Sequence, residues 1–128
     1  MDNLQVNKTD LTPYVDFNSE TRMMKMEGSC IPENSHVFFV PIIKWIDELF
    51  ADSSIDKNDE YELNITCEYY NSSSAKMFVY LFDKIAEIQK DGYQLKVVWN
   101  CFMDDPDLVE SIEDFVSITN AAIEIRQI

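Results

Sequence analysis

Residues 61–92, YELNITCEYYNSSSAKMFVYLFDKIAEIQKDG, contain the transition that decides the fold. Apolar and polar residues alternate through residues 61–68, which is the pattern of a half-buried strand. From Ala75 the apolar residues instead recur every third or fourth position, which predicts an amphipathic helix. Gly92 ends that helix, because glycine readily adopts the left-handed conformation found at helix C-termini. The stretch therefore predicts one strand–loop–helix unit, with residues 69–74 as its loop.

Similar patterns extend this prediction to both sides of the unit. Residues 1–12 show no regular pattern and are expected to be flexible, while residues 1–128 as a whole form a single domain, because 46% hydrophobic content suffices for one core. Helices that connect successive strands predict an α/β fold, with a mixed sheet of about five strands and three helices packed mainly on one face. The other predicted elements are strands at residues 14–18, 22–27, 95–99 and 121–127, a helix from about Asn34 and a helix from Asp105-Pro106.

The composition restricts the classes of partner and the compartment. Twenty-four acidic and ten basic side chains give a net charge of −14, which repels nucleic acid and anionic membranes and favours a positively charged protein partner. The first residues lack the cationic and apolar parts of a signal peptide, and no apolar run approaches the ~18 residues of a membrane span. We therefore expect a cytoplasmic protein that binds neither nucleic acid nor membrane.

The cysteines and glycines argue against cofactor sites. Cys30, Cys67 and Cys101 are odd in number and form no C-x-x-C pair, which indicates reduced, mostly buried thiols and neither a disulfide framework nor a zinc site. With two glycines in the chain, neither a P-loop nor a dinucleotide-binding fingerprint can be assembled. No cofactor is expected.

Catalytic residues are similarly scarce. His36 is the single histidine, and in the first turn of a helix it is more often a surface residue than a base. Asp104, Asp105 and Asp107 could hold a hard cation, but helix capping explains acidic residues at a helix N-terminus better. A small metal-dependent hydrolase that uses His36 with these aspartates is the alternative from the enzyme class.

The segment Asn71-Ser72-Ser73-Ser74 carries the remaining candidate chemistry. Its structural interpretation is that serine is a favoured N-cap, so one hydroxyl accepts a bond from an unpaired backbone N–H. Its functional interpretation is that another hydroxyl accepts a phosphoryl group, which a helix N-terminus stabilises through free N–H groups and the helix dipole. Lys76, one turn further on, could approach that phosphate. A modification that adds about −1.5 to −2 charges where a partner binds is sufficient for a switch.

Two sequence blocks resemble those of a known family. The first block reads EGSCIPENS at residues 27–35, and the second reads YYNSSSAK at residues 69–76, followed by Phe82-Asp83. They are similar to the G-x-S-x-P-E-N-S turn and the Y-x-N-[ST]-S-S loop of the SiaC family of small bacterial regulatory phosphoproteins. The order of elements also matches that of the family from about Tyr14 to Gln127.

The resemblance implies a non-enzymatic phospho-switch with a fold similar to STAS domains and anti-sigma-factor antagonists. The unphosphorylated form would bind and activate a diguanylate cyclase, which raises cyclic di-GMP and promotes biofilm growth or aggregation. A cognate kinase would modify the loop and release the partner, and a metal-dependent serine phosphatase would reverse the modification. By position the acceptor falls on Ser72, with the adjacent Ser73 and Ser74 also possible. An anti-sigma-factor antagonist, with transcription as the output, is the alternative within the same fold.

The resemblance also implies a docking surface around the loop. The turn from Gly28 to Ser35 is expected beside the loop, where it would help to shape that surface. The residues expected to contact a partner are Gly28, Pro32, Glu33, Asn34, Tyr70, Asn71, Ser73, Ser74 and Lys76.

Overall fold

The computed structural model describes residues 1–102 and 105–128. Within them the chain alternates strands and helices after an all-strand beginning. The elements are β1 (Leu4–Val6), β2 (Tyr14–Asn18), β3 (Met23–Glu27), α1 (Ser35–Ala51), β4 (Glu60–Thr66), α2 (Ser72–Lys90), β5 (Gln94–Cys101), α3 (Pro106–Thr119) and β6 (Ile123–Gln127).

One mixed sheet contains all these strands in the order of the sequence, β1-β2-β3-β4-β5-β6. The first three strands pair antiparallel, and β3 to β6 pair parallel. Each helix connects two neighbouring parallel strands, and such crossovers are right-handed, so three successive steps in one direction place the helices on the same face. The predicted mixed sheet with helices on one face is confirmed, but it has six strands where about five were expected.

The additional strand is β1, which lies in the segment predicted to be flexible. Leu4 pairs with Phe17 and Val6 with Val15, and the indole Nε1 of Trp45 donates a hydrogen bond of 2.8 Å to the carbonyl oxygen of Asp2. The prediction for residues 1–12 was therefore wrong for the part that contains β1. Three residues are too few to show an alternating pattern, and the strand depends on pairing with β2 and on contact with α1.

The core lies between the sheet and the helices and is rich in aromatic rings. Phe78 and Phe82 on α2 are fully buried against Trp99 of β5, and Trp99 stacks on Phe115 of α3 with ring centroids 6.1 Å apart. Phe39 of α1 meets Phe78 edge to face, with centroids 5.0 Å apart. Through Phe78, α2 therefore contacts α1, β5 and α3.

The strands β3 and β4 end beside each other, at the sheet edge where α1 and α2 begin. Glu27 pairs with Thr66, the last residue of β4. The chain therefore brings the first turns of two neighbouring helices together above this edge.

None of the helices in residues 1–102 and 105–128 is long and apolar enough to cross a membrane.

Candidate functional site

Helix α2 begins at Ser72, three residues before the predicted start, and its N-cap is Asn71. The side-chain Oδ1 of Asn71 accepts the backbone N–H of Ser74 at 2.9 Å, and the carbonyl oxygen of Asn71 accepts that of Ala75 at 2.9 Å. The expectation that a serine caps this helix was therefore wrong. Asparagine caps as well as serine does, and here it precedes the serines, so all of them lie within the first turn.

The hydroxyl groups of these serines have different environments. Ser72 is exposed, and its hydroxyl makes no hydrogen bond within residues 1–102 and 105–128. Ser73 is also exposed, but its Oγ lies 2.7 Å from Oγ of Ser35 and 3.2 Å from Oδ1 of Asn71. Ser74 is fully buried, with its Oγ 3.1 Å from that of Ser35. In this conformation Ser72 is accessible from solvent and Ser74 is not.

The turn of residues 28–35 lies beside the loop, as the resemblance implied. Cys30 forms a parallel bridge with Tyr70: its N–H donates to the carbonyl oxygen of Tyr69 at 2.8 Å, and its carbonyl oxygen accepts the N–H of Asn71 at 3.2 Å. Asn71 Nδ2 donates to the carbonyl oxygen of Pro32 at 3.5 Å. These bonds extend the β3–β4 pairing beyond the strands and join both sequence blocks into one surface.

Asn34 gives α1 the same kind of cap that Asn71 gives α2. Its Oδ1 accepts the N–H of Val37 at 3.1 Å. The following residue, Ser35, is 5% exposed and points its hydroxyl at the first turn of α2. The two helix N-termini therefore meet through side-chain hydroxyls.

The residues expected to contact a partner differ in accessibility. Pro32 and Ser74 are buried. In this conformation they support the residues of the surface and cannot contact a partner. The half-buried residues are Gly28, Tyr70 and Asn71, and the exposed residues are Glu33, Asn34, Ser73 and Lys76.

The charge around the first turn of α2 suits an anion. No acidic residue occurs in this turn, although the chain as a whole carries a net charge of −14. Lys76 makes no ion pair within residues 1–102 and 105–128; its Nζ lies 6.0 Å from the ring centroid of Tyr80. The N–H groups of Ser72 and Ser73 also make no hydrogen bond to the described residues. A phosphate on Ser72 would thus lie beside unpaired N–H groups, with Lys76 four residues further along the same helix.

Several exposed apolar residues next to the loop were missed by the sequence analysis. Tyr69 is 69% exposed, Val37 is 65% exposed and Tyr80 is 49% exposed. A sequence signal existed for Tyr80, since Ser72, Lys76 and Tyr80 are spaced four residues apart and share one helix face. For Val37 and Tyr69 no such signal existed, because apolar residues are read as core unless the fold shows otherwise.

All three cysteines are buried and unbonded to each other, as predicted. Burial raises the pKa of the Cys30 thiol to about 11, partly offset by a hydrogen bond with Ser74, and it raises the pKa of the Cys67 thiol to about 12. Both groups are therefore neutral thiols near pH 7. Nucleophiles and metal ligands require the thiolate, so these residues act as packing groups.

The residues of the hydrolase alternative have structural explanations. Asp105 is the N-cap of α3, and its Oδ1 accepts the N–H of Leu108 at 3.1 Å, which confirms the capping interpretation. Asp107 lies exposed in the first turn of α3, His36 lies exposed on α1, and Asp104 lies outside the described residues. In the described part of the chain, no group of three or more His, Cys, Asp or Glu side chains is arranged to hold a metal ion.

Comparison with known proteins agrees with this geometry. The model of the SiaC family of regulatory phosphoproteins matches residues 6–128. The chain belongs to the SiaC family. An uncharacterised protein of Pseudomonas aeruginosa strain UCBPP-PA14 is 26% identical over 115 residues, which cover 90% of this chain and 88% of that protein. The family resemblance seen in the two sequence blocks is therefore confirmed.

Solved structures of the SiaC family have the same fold. SiaC of Pseudomonas aeruginosa is 24% identical, with a TM-score of 0.83 over 98% of this chain and 97% of its own. Apo-SiaC from the same organism is 25% identical, with a TM-score of 0.85 over 98% and 99%. A third structure contains the diguanylate cyclase SiaD in complex with its activator SiaC from Pseudomonas aeruginosa; it is 24% identical, with a TM-score of 0.87 over 98% and 99%.

Proposed function

We propose that this SiaC-family protein is a non-enzymatic regulator that binds and activates a diguanylate cyclase while Ser72 is unphosphorylated. A cognate kinase would phosphorylate Ser72 and release the cyclase, and a serine phosphatase would restore binding. Two findings support this proposal: membership of a family of regulatory phosphoproteins, and the likeness to a SiaC that activates a cyclase. Because the kinase needs ATP, the proposal places the protein in the cytoplasm.

The observation that carries the proposal is the exposure and hydrogen bonding of the Ser72 hydroxyl. It is exposed, it makes no hydrogen bond within residues 1–102 and 105–128, and it lies at the start of a helix of 19 residues. A phosphate there would gain the free N–H groups and the positive end of the helix dipole. The site can therefore carry either state without refolding.

The unphosphorylated surface is suited to docking by its mixture of polar and apolar groups. Glu33, Asn34 and Lys76 are exposed, and Tyr69 and Tyr80 add large exposed rings. Aromatic side chains buried at the centre of an interface contribute strongly to binding. We assign this surface to the partner.

Phosphorylation would oppose docking by charge and by hydration. A phosphate adds about −1.5 to −2 charges, and taking it out of water at an interface costs several kcal/mol, which pairing with the helix N–H groups and Lys76 offsets only in part. At about 1.4 kcal/mol per factor of ten, binding would weaken by about two orders of magnitude or more. Loss of activation then follows from loss of the complex.

The acceptor is tested by incubating the protein with the proposed cognate kinase and with ATP. We expect one phosphate per chain, mapped to Ser72 by fragmentation mass spectrometry. An unchanged intact mass, or a phosphate outside residues 72–74, contradicts the proposal.

The switch is tested by comparing Ser72→Ala with Ser72→Asp for cyclase binding and activation. We expect Ser72→Ala to bind and activate like the wild type, and Ser72→Asp to bind at least about tenfold more weakly, because a carboxylate carries part of the phosphate charge. Ser117→Asp is the matched control, since Ser117 is an exposed serine on α3. Equal affinities for the two Ser72 variants would count against charge as the signal.

A further inference from the structure

The hydroxyl of Ser35 connects the first turns of α1 and α2. Its Oγ lies 2.7 Å from that of Ser73 and 3.1 Å from that of Ser74, residues 38 and 39 positions further along the chain. Ser74 also receives a bond of 3.6 Å from the Sγ of Cys30. Ser35, Ser74 and Cys30 are all buried, so in this conformation these members of the cluster lie beneath the proposed docking surface.

The protons of the cluster can be arranged so that every bond is made at once. Cys30 donates to Ser74, Ser74 donates to Ser35, Ser35 donates to Ser73, and Ser73 donates to Oδ1 of Asn71. Each hydroxyl then gives one bond and accepts one, which suits its single proton and its lone pairs. Chains of this kind polarise and strengthen their members, so removing one link weakens its neighbours.

We infer that Ser35 is a positioning residue that makes Ser72 the phosphate acceptor, by holding the hydroxyl of the adjacent Ser73 in this hydrogen-bonded chain. The inference rests on the proposed function, namely that a kinase modifies this loop. Both Ser72 and Ser73 are exposed, so exposure alone does not distinguish them. Their hydrogen bonds do, because the Ser73 hydroxyl is bonded on two sides while the Ser72 hydroxyl has no partner in the described part of the chain.

The chemistry of phosphoryl transfer gives the reason for this selection. The acceptor oxygen forms a bond to the γ-phosphorus of ATP, the bond from that phosphorus to the β,γ-bridging oxygen breaks, ADP leaves with the electron pair, and the hydroxyl proton passes to a base of the kinase. Ser73 would first have to break the hydrogen bond that it donates to Asn71 and the one that it accepts from Ser35. Ser72 has neither bond to break.

The inference is tested by labelling four proteins with the proposed cognate kinase and ATP. They are the wild type, Ser72→Ala, Ser35→Ala with Ser72→Ala, and Ser35→Thr with Ser72→Ala. We expect phosphate on Ser72 in the wild type and little labelling of Ser72→Ala. Adding Ser35→Ala should raise the rate at Ser73 by up to about tenfold, the ratio that loss of one hydrogen bond produces. Ser35→Thr keeps the hydroxyl and should leave that rate low.

A second measurement does not depend on how much the substitution lowers the stability of the protein. In the single variant Ser35→Ala, fragmentation gives the ratio of Ser73 to Ser72 phosphate within one sample, and this ratio should exceed that of the wild type. Thr119→Ala is the matched control, because Thr119 is also 5% exposed and its Oγ1 also makes a buried hydrogen bond, to the carbonyl oxygen of Phe115. Its ratio should equal that of the wild type.

The possible failures are distinguishable. In one outcome the wild type carries phosphate on Ser72, and Ser73 is labelled equally in the Ser72→Ala variants with and without Ser35. This outcome overturns the inference and leaves the proposed function intact. A shift to Ser73 that Thr119→Ala reproduces also overturns it, since general loosening would then be the cause. A wild type without phosphate on residues 72–74 overturns the proposed function, and this inference with it.

Discussion

Gly28 fixes the path of the turn beside the loop of residues 69–74. It has a φ of +133°, in the region that favours glycine, and its N–H donates to the carbonyl oxygen of Thr66 at 2.9 Å. A Cβ at this position would lie 3.2 Å from the backbone Cα of Pro13 and 3.2 Å from Cε of Lys8. The lysine end can move aside, but the proline backbone cannot do so without shifting the chain that enters β2.

Gly28→Ala should therefore reduce the free energy of unfolding by about 2–3 kcal/mol, through backbone strain together with the contact with Pro13. Gly92→Ala is the matched control, because Gly92 also has a positive φ, of +96°, while the nearest atom to its added Cβ is Cδ of Lys57 at 3.8 Å. It should cost about 1 kcal/mol from strain alone. Urea unfolding at one pH measures both, and equal losses would contradict the role assigned to Pro13.

The capping residue and the proposed acceptor show how far single residues could be predicted. The segment Asn71–Ser74 was identified as the loop that opens a helix, because its residue types are those of a cap. The environment of each residue in this segment was not predictable. Asn71 caps the helix, Ser74 is buried, Ser73 is hydrogen-bonded to Ser35, and Ser72 is exposed. Identical side chains differ here only through their neighbours in space.

At the scale of elements, β1 closes one edge of the sheet. Its Leu4 and Val6 are partly buried against the core, and the segment before it receives the indole hydrogen bond of Trp45. Trp45 is 7% exposed and packs edge to face on Phe17 of β2, with centroids 5.3 Å apart. The strand therefore pairs with β2, and the segment before it lies against Trp45, whose ring packs on Phe17.

Deletion of residues 1–6 should lower the free energy of unfolding by about 2 kcal/mol, since two half-buried aliphatic side chains return to water. It should also shift tryptophan emission to longer wavelength, because Trp45 becomes exposed while Trp99 stays buried. Urea unfolding and fluorescence spectra measure these effects, with Gln5→Ala as the control, since Gln5 is exposed on the same strand. A deletion as stable as the wild type would show that β1 does not support the sheet.

At the scale of the whole molecule, negative charge dominates the long-range interactions. Of the ten basic side chains, Arg22, Lys25 and Lys44 are among those that pair with nearby carboxylates, so the excess of acidic groups determines the field around the protein. Such a field accelerates encounters with a basic partner and acts much less on the docked complex. It would also be strengthened, not reversed, by phosphorylation.

Association with the proposed cyclase partner should therefore slow with salt. Between about 0.1 M and about 1 M NaCl the Debye length shortens from ~10 Å to ~3 Å, and we expect the association rate to fall at least about tenfold while the dissociation rate changes by less than about threefold. Stopped-flow mixing measures both rates. Glu110→Gln with Glu113→Gln, at exposed positions of α3, should weaken the salt dependence without changing dissociation. Salt-independent association would exclude steering by charge.

The sequence by itself determined the class of fold, the order of the long elements and the position of the loop at residues 69–74. These follow from patterns within single segments: alternation marks a half-buried strand, a three-to-four spacing marks a helix, and helices between strands imply parallel crossovers on one face. Only the tertiary structure decided that residues 4–6 form a strand and that Ser35 reaches Ser73 and Ser74. Such contacts join residues far apart in the chain, and a local pattern reports which side of a segment is buried but not what lies opposite it.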